Sequence, residues 1–308
     1  MVENIARSEI IDSKNYYRSY DIPHYQFEWK LHLLENKLKN GEKVNCFILG
    51  SSLVVRGIDP EVINEVYFNK VGEKINCFNF GVDGMKFTEF HQIASFLSET
   101  FHPDILIFGI SPRAFDKYNE ISASNVFSSD WILYAQGEYT FRGWMLHNIY
   151  SYQYLQTFFV SYYDSSYKKI IKKFEKRMTN SGYAPFRREF DADILPEPLR
   201  NLKNFSYSMK EISEYIKLNN SRTMNAAIYI VEMPVTTKYI TNFNNGREGY
   251  FQTIDKLVEY TVNPQVKLIR TNVLPIVGDD GFMDLHHLNI RGAEIFSNWL
   301  AIQISNQE

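Results

Sequence analysis

Near the C-terminus, Asp284, His286 and His287 stand close together in the segment Asp-Leu-His-His-Leu-Asn. The Asp-x-x-His spacing lets one short turn bring the carboxylate of Asp284 against the imidazole of His287. A carboxylate in that position fixes the tautomer of the ring, and the other ring nitrogen is then turned toward a nucleophile. The spacing therefore predicts the acid and the base of a catalytic triad.

Two other interpretations of this segment stay open. Asp284, His286 and His287 together offer metal ligands, although no other cluster of His or Cys supplies the missing ones. Asp284 could instead cap a turn while both histidines lie at the surface. We expect no metal and no other cofactor.

The serine that such a base requires is found far away in the chain, at Ser52. It stands in the segment Phe-Ile-Leu-Gly-Ser-Ser-Leu, just after the end of the first short apolar run. A serine beside a glycine at the carboxyl end of a strand can present its hydroxyl and its backbone N–H to a crevice. Gly-Ser-Ser turns are also common in ordinary loops, so this motif indicates a catalytic serine only in combination with the other motifs.

Two further turns follow neighbouring apolar runs. Gly81 and Gly84 come after the second run, where glycine permits close approaches that a side chain would block. A tight turn explains these two glycines equally well. Gly109 lies near the end of the third run, and Ser111 and Arg113 follow it. This turn again places a hydroxyl, together with a cation, at the end of a predicted strand.

These turns require strands to bring them together, and the chain alternates short apolar runs with longer amphipathic stretches. The apolar runs cover residues 44–49, 75–80, 105–110, 227–231 and 266–269. Continuous apolar runs are typical of parallel strands that are covered on both faces by helices. The alternation predicts an α/β fold, a flavodoxin-like three-layer sandwich with a five-stranded parallel sheet. In such a sheet the ligand lies beyond the carboxyl ends of the strands.

Amphipathic helices are predicted over residues 88–101, 150–178 and 205–218, and a last helix after the N-cap Asn289. The side chains expected on the inner face of the last helix are Ile290, Ala293, Phe296 and Leu300. These helices would cover the sheet and fill the long segment that joins its third and fourth strands.

That segment, residues 111–225, is too long for one crossover helix. We expect one domain over residues 1–308, with an aromatic-rich, mainly helical subdomain inserted at 115–222. Its aromatic side chains either form a small core of their own or make a lid or acceptor platform over Ser52, on which sugars would stack. They include Trp131, Tyr134, Tyr139, Phe141, Trp144, Tyr150, Tyr152, Tyr154, Phe158, Phe159, Tyr162 and Tyr163.

A basic cluster lies at helical spacing in the same segment. Its members are Lys168, Lys169, Lys172, Lys173, Lys176 and Arg177. The simplest interpretation is a solvated helix face, and the alternative is an anionic partner or peripheral contact with a membrane.

Composition limits the classes of function. The 308 residues carry a formal net charge of −3, which disfavours a nucleic-acid partner. Cys46 and Cys77 each lie in an apolar run and are expected to be small buried hydrophobes, not a disulfide framework. We see neither a secretory signal nor an apolar run of roughly 20 residues, so we expect a cytoplasmic protein without an integral membrane segment.

Taken in order, these motifs resemble the SGNH (GDSL-type) hydrolase superfamily across the whole α/β core, with the insertion outside the match. The resemblance implies that Ser52 is the nucleophile, His287 the base and Asp284 its partner. It also implies an oxyanion hole formed by the N–H groups of Ser52 and Gly84. Ser111 falls where the family places an asparagine, the side-chain donor to the oxyanion.

Two positions depart from the family pattern. Ser51 replaces the usual aspartate, and Ser111 replaces the usual asparagine. A serine hydroxyl reaches less far than a carboxamide, and the loss of one oxyanion donor costs about a hundredfold or more in rate. Arg113 could compensate electrostatically. Arg113 and His286 are the candidate substrate contacts.

The Gly-Ser-Ser start and the Ser-Pro-Arg turn look most like superfamily members that modify bacterial cell-surface polymers, including by O-acyl transfer. The resemblance thus implies a serine esterase acting on a small-molecule or carbohydrate ester. An O-acyltransferase that uses the same acyl-enzyme is the first alternative. A non-catalytic binding protein that kept the fold is the second.

Overall fold

The structure is a computed structural model in which the chain divides into two compact units. The described residues are 19–117, 126–163, 166–186, 202–220, 226–261, 263–273 and 275–306. The first unit comprises the described parts of Met1–Glu42 and Ala123–Asn180, and the second those of Lys43–Ser122 and Ser181–Glu308. The expected single domain with a subdomain at 115–222 stays a prediction.

The second unit is built on one sheet of five parallel strands. They are β1 (Cys46–Gly50), β2 (Cys77–Asn79), β3 (Ile105–Ile110), β4 (Ala227–Glu232) and β5 (Val266–Ile269). Their spatial order is β2-β1-β3-β4-β5, so the order reverses between β1 and β3, at the switch point where doubly wound sheets bind ligands. The predicted α/β fold with a five-stranded parallel sheet is confirmed.

The two faces of the sheet are covered by different helices, because successive side chains of a strand point to opposite faces. On one face, Ile48 and Ile107 share a buried core with Phe296 and Leu300 of the helix Ile290–Ser305. On the other face, rings of the helix Phe87–Phe101 pack on the strands. Its Phe101 lies 5.7 Å from Phe47, and its Phe87 lies 6.1 Å from Phe108, measured between ring centroids.

Residues before β1 explain why that strand starts two positions later than predicted. The side chain of Asn45 accepts a hydrogen bond from the backbone N–H of Asn76 at 2.8 Å and donates to Asp104 at 2.8 Å. Through these bonds the side chain of Asn45 links the segments that precede β2 and β3. The strand β1 itself begins only at Cys46. β3 and β5 begin and end at the predicted residues.

Cys46 and Cys77 correct one expectation. They face each other in the register of β1 and β2, with Cα atoms 4.3 Å apart, and their sulfurs form a disulfide bond. Both side chains are buried, as predicted, but they are not two separate thiols. The apolar pattern of two strands does not reveal their relative register, so the sequence did not indicate this pairing.

The last helix is confirmed with one exception. Asn289 caps it by accepting a hydrogen bond from the N–H of Gly292 at 3.0 Å. The inner side chains Ala293, Phe296 and Leu300 are buried. Ile290 is 49% exposed, so its predicted inward position is wrong. It is the first residue of the helix and lies outside the stripe that the later turns bury.

The first unit is helical in its described parts. Its helices are Tyr25–Lys39, Asp130–Ala135, Phe141–Asn148, Tyr150–Tyr163 and Tyr167–Arg177. Trp131 stacks on His147 at 4.7 Å and packs on Tyr20 at 5.0 Å, so some aromatic side chains form a local core. None of the helices in the described part of the chain has the length and apolar content needed to cross a membrane.

The basic cluster lies on the helix Tyr167–Arg177. Lys169, Lys172, Lys173, Lys176 and Arg177 are exposed there. The side chain of Lys168 lies outside the described residues. A solvated face accounts for these positions, and peripheral contact with a membrane stays a prediction.

Candidate active site

Ser52, His287 and Asp284 form one continuous chain of hydrogen bonds. The Oγ atom of Ser52 lies 2.8 Å from Nε2 of His287, across 235 residues of sequence. Nδ1 of His287 lies 2.8 Å from Oδ2 of Asp284. Because an ionised carboxylate only accepts, the ring proton belongs on Nδ1, which leaves Nε2 to accept from the serine hydroxyl. The structure thus brings the three predicted residues together, and their catalytic roles stay predictions.

Ser52 is placed at the carboxyl edge of the sheet because the chain enters a helix directly after β1. Ser52 is the first residue of the helix Ser52–Gly57. A Cβ atom at Gly50 would lie 2.3 Å from a methyl group of Val54, and one at Gly109 would lie 2.2 Å from the same methyl. These two glycines therefore make room for Val54 between the ends of β1 and β3. As the first helical residue, Ser52 has a backbone N–H without an intrahelical acceptor.

Asn79, at the end of β2, ties the helix that carries Ser52 to the following glycine turn. Its side-chain amide donates to the carbonyls of Val54 and Ile58, both at 2.8 Å. Its carbonyl oxygen accepts from the N–H of Gly81 at 3.0 Å. Asn79 was not among the predicted site residues, although an asparagine two residues before a glycine is a turn signal that could have found it.

Asp284 both closes its turn and orients His287. Its Oδ1 accepts the backbone N–H groups of His286 at 2.9 Å and His287 at 2.8 Å. Burial by itself raises the pKa of Asp284, but its interactions with the two histidine side chains prevail and hold that pKa well below its usual range. Asp284 is therefore ionised. It does cap a turn, but the alternative with surface histidines is wrong for His286, which is 4% exposed.

His286 packs against the ring of His287 without joining the chain of hydrogen bonds. Its ring centroid lies 3.9 Å from that of His287. Its Nδ1 lies 3.2 Å from Oδ1 of Asp284, without hydrogen-bond geometry. Burial lowers the pKa of His286 to about 4, with a further contribution from the charge of His287 that Asp284 partly offsets. His286 is therefore neutral at pH 7.

The same residues are the ones a metal would use. The ligand atoms of Asp284, His286 and His287 lie within 4.8 Å of one another. However, Nε2 of His287 is bonded to Ser52, and three hydrogen bonds occupy the oxygens of Asp284. A metal ion would have to displace these bonds, so the arrangement fits proton transfer better. The expected absence of a metal and of other cofactors stays a prediction.

A cavity of about 270 Å³ opens beside Ser52. Its lining includes Ser52, Gly84, Ser111, Arg113, His286 and His287, which are all of the predicted site residues except Asp284. Gly84 has a φ of +80°, in the left-handed region that glycine adopts without strain. The turn after β2 therefore needs a glycine at this position.

Ser111 is buried at the end of β3 and lines the cavity beside Ser52. The phenol of Tyr239, on the helix Thr237–Thr241, is buried as well. Burial raises the pKa of Tyr239, and Arg113 and Ser111 offset only part of that rise, so the phenol is neutral. Because a serine hydroxyl reaches less far than a carboxamide, the backbone N–H groups of Ser52 and Gly84 are the better candidates for oxyanion donors.

No protein-family model and no curated protein matches the chain. Solved structures to which the chain is similar include the lipase Lip_vut3 from a goat rumen metagenome, at a TM-score of 0.40 and 11% identity, covering 85% of this chain and 97% of that one. A GDSL-like lipase from Bacteroides thetaiotaomicron VPI-5482 is similar at a TM-score of 0.35 and 10% identity, covering 92% and 98%. Both superpositions are distant, so fold and site rest on this chain's own strand order and geometry.

Proposed function

We propose that the protein is a serine hydrolase of the SGNH type that cleaves an O-acyl ester through an acyl-enzyme on Ser52. The observation that carries this proposal is the chain of 2.8 Å contacts from Ser52 through His287 to Asp284. An ionised carboxylate behind the imidazole favours the proton transfer that makes the serine a nucleophile. The cavity beside Ser52 gives the ester a place to bind.

The reaction takes place in two halves. Nε2 of His287 accepts the proton of Ser52 while Oγ bonds to the ester carbonyl carbon, and the N–H groups of Ser52 and Gly84 stabilise the oxyanion. When the C–O bond to the leaving alcohol breaks, His287 returns the proton to that alcohol, and acyl-Ser52 remains. Water then loses a proton to His287 and attacks the acyl carbon. Ser52 leaves and recovers the proton, and the acid is released.

The size and lining of the cavity support a proposal about the class of ester. A volume of about 270 Å³ is close to the lower end of the range for small-molecule sites, so we propose a short acyl group. Phe186 lines the same cavity, and its ring centroid lies 5.7 Å from that of His287. Aromatic rings stack on sugar faces, which supports a carbohydrate ester as substrate.

The same aromatic wall favours a second acceptor beside water. A sugar that stacks on Phe186 would accept the acyl group of Ser52 on one of its hydroxyls, and the protein would then be an O-acyltransferase. The measurement is product analysis of p-nitrophenyl acetate turnover with increasing concentrations of monosaccharides. Transfer predicts an acetylated sugar that grows at the expense of acetate, whereas acetate alone at every concentration would leave a simple esterase.

The hydrolase proposal is tested by turnover of p-nitrophenyl acetate in matched serine variants. We expect Ser52→Ala to lower kcat by about 10⁴-fold or more, because the acyl-enzyme can no longer form. Ser51→Ala, which removes the neighbouring hydroxyl, keeps a measurable fraction of the activity. An active Ser52→Ala together with an inactive Ser51→Ala would overturn the nucleophile assignment.

A further inference from the structure

Arg56 and Asp83 form a two-pronged ion pair at the rim of the cavity. Nη1 of Arg56 donates to Oδ1 of Asp83 at 2.6 Å, and Nη2 donates to Oδ2 at 2.7 Å. Both residues line the cavity, and the Arg56 side chain is 17% exposed. Two parallel bonds between planar groups fix orientation as well as distance. The two opposite charges offset each other, so the pair's contribution is mainly geometric.

The pair joins the two segments that carry the proposed oxyanion donors. Arg56 lies one turn beyond Ser52 on the helix Ser52–Gly57, so its position is fixed relative to that of the nucleophile. Asp83 directly precedes Gly84 in the turn after β2. A shift of Asp83 would carry the N–H of Gly84 with it.

Arg56 also contacts Phe186, the aromatic side chain that packs beside His287. Its guanidinium carbon lies 4.5 Å from the ring centroid of Phe186. The Phe186 ring meets the ring of His287 edge-on, at 76°. The carbonyl of Phe186 accepts the N–H of Ile290, which anchors this wall to the start of the last helix. One guanidinium therefore contacts both the oxyanion turn and the wall beside the base.

We propose that Arg56 and Asp83 are positioning residues that set the distance between Ser52 Oγ and the N–H of Gly84 and, through Phe186, limit rotation of His287. This inference rests on the proposed function, because it assumes an oxyanion between Ser52 and Gly84. Neither residue touches the reacting atoms. A misplacement of about 1 Å costs on the order of a hundredfold in rate, so a loosened pair lowers kcat.

The test compares two variants. Arg56→Lys keeps the positive charge but cannot form two parallel hydrogen bonds, and Asp83→Asn keeps the shape of the side chain but loses its negative charge. The matched controls are Arg291→Lys and Asp280→Asn, which alter an exposed arginine–aspartate pair in the same unit. In p-nitrophenyl acetate hydrolysis we expect kcat to fall about 10- to 100-fold in both test variants. KM should change by less than about threefold, because an interaction that acts in the transition state affects kcat. The controls stay within about twofold of wild type.

The double variant Arg56→Lys/Asp83→Asn separates positioning from a general loss of structure. Residues that act as one unit give losses that do not add, so its kcat should match that of the worse single variant. Folded variants with kcat within about twofold of wild type would overturn the inference. Unfolding of both single variants, seen by circular dichroism, would also overturn it, since the pair would then be structural. Inactivity of the wild type would instead defeat the proposed function.

Discussion

Two regions of the molecule both bury polar side chains but differ in where their apolar side chains lie. In the segment from Asp284 to Asn289, hydrogen bonds of buried polar side chains define the turn, and the leucines of that segment are buried as well. In the helix Tyr150–Tyr163, the stripe made by Leu155, Phe158, Phe159 and Tyr162 is exposed, at 42–74% of each side chain. Gln153 and Thr157 on the opposite side are 3% exposed. Local hydrogen bonds set the first arrangement, and packing partners decide the second.

The polar residues on the inner side of that helix bond to nearby backbone. Gln153 donates to the carbonyl of Leu146, and Thr157 donates to the carbonyl of Gln153 at 3.1 Å. Hydrophobic periodicity alone would place the aromatic stripe inward. The face of this helix that is buried is therefore the opposite of the face that its hydrophobic pattern predicts.

Among single substitutions in the turn, we expect the largest loss of kcat at His287. We expect His287→Ala to lower kcat as much as Ser52→Ala does, about 10⁴-fold or more, because each breaks the same chain of hydrogen bonds. The double variant should be no worse than either single one. Steady-state kinetics with p-nitrophenyl acetate measures all three.

His286→Ala is the matched control in the same turn, and we expect a much milder loss of kcat, since its ring lies outside the chain of hydrogen bonds. Equal damage from the two histidine variants, relieved by added zinc, would favour the metal alternative instead.

In the helical region, two leucines test which face is inside. Leu146 is fully buried, whereas Leu155 is 47% exposed. We expect Leu146→Ala to lower the free energy of unfolding by about 2–5 kcal/mol and Leu155→Ala by less than about 1 kcal/mol. Urea denaturation followed by circular dichroism gives both values. Similar losses for the two variants would show that the exposed stripe is covered in solution.

The smallest expected effect is a pH dependence of the free energy of unfolding, which originates at His286 in the buried turn. The folded pKa of His286 is lowered to about 4, chiefly by burial, whereas an unfolded histidine titrates near 6.5. Between these values the unfolded state binds more protons, so stability falls as the pH falls. From pH 7 to pH 4.5 this linkage amounts to about 2 kcal/mol.

The matched variant is His286→Asn, which cannot take up the proton. Over the same pH range we expect wild type to lose about 2 kcal/mol more unfolding free energy than the variant, as measured by urea denaturation at each pH. The range stops above the ordinary pKa of a carboxyl group, which keeps the titration of Asp284 out of the comparison. Parallel pH curves for the two proteins would show that His286 does not carry the dependence.

The sequence predicted what local spacing and apolar runs determine. The carboxylate of Asp284 reaches His287 within one turn, so three residues of spacing were enough to find the pair. The strands followed from apolar runs, and their carboxyl ends placed Ser52 near the histidine because parallel strands end at the same edge of a sheet. Asn289 was visible as a cap because its side chain acts on residues next to it.

What the sequence did not predict depends on contacts between distant segments. The disulfide of Cys46 and Cys77 depends on strand register. The contact of Arg56 with Phe186 joins segments that no periodicity relates. The exposed aromatic stripe depends on which neighbours a helix finds. Each of these features requires the tertiary arrangement before it can be recognised.

The central claim, that His287 and Asp284 activate Ser52, is tested most directly by covalent labelling with a fluorophosphonate. The reagent reacts with an activated serine and leaves a stable adduct. We expect wild type to gain one adduct, located by peptide mass spectrometry on Ser52, and His287→Ala to react at least about a hundredfold more slowly. Absence of the adduct in wild type, or an adduct on Ser51 with Ser52 unmodified, would contradict the account.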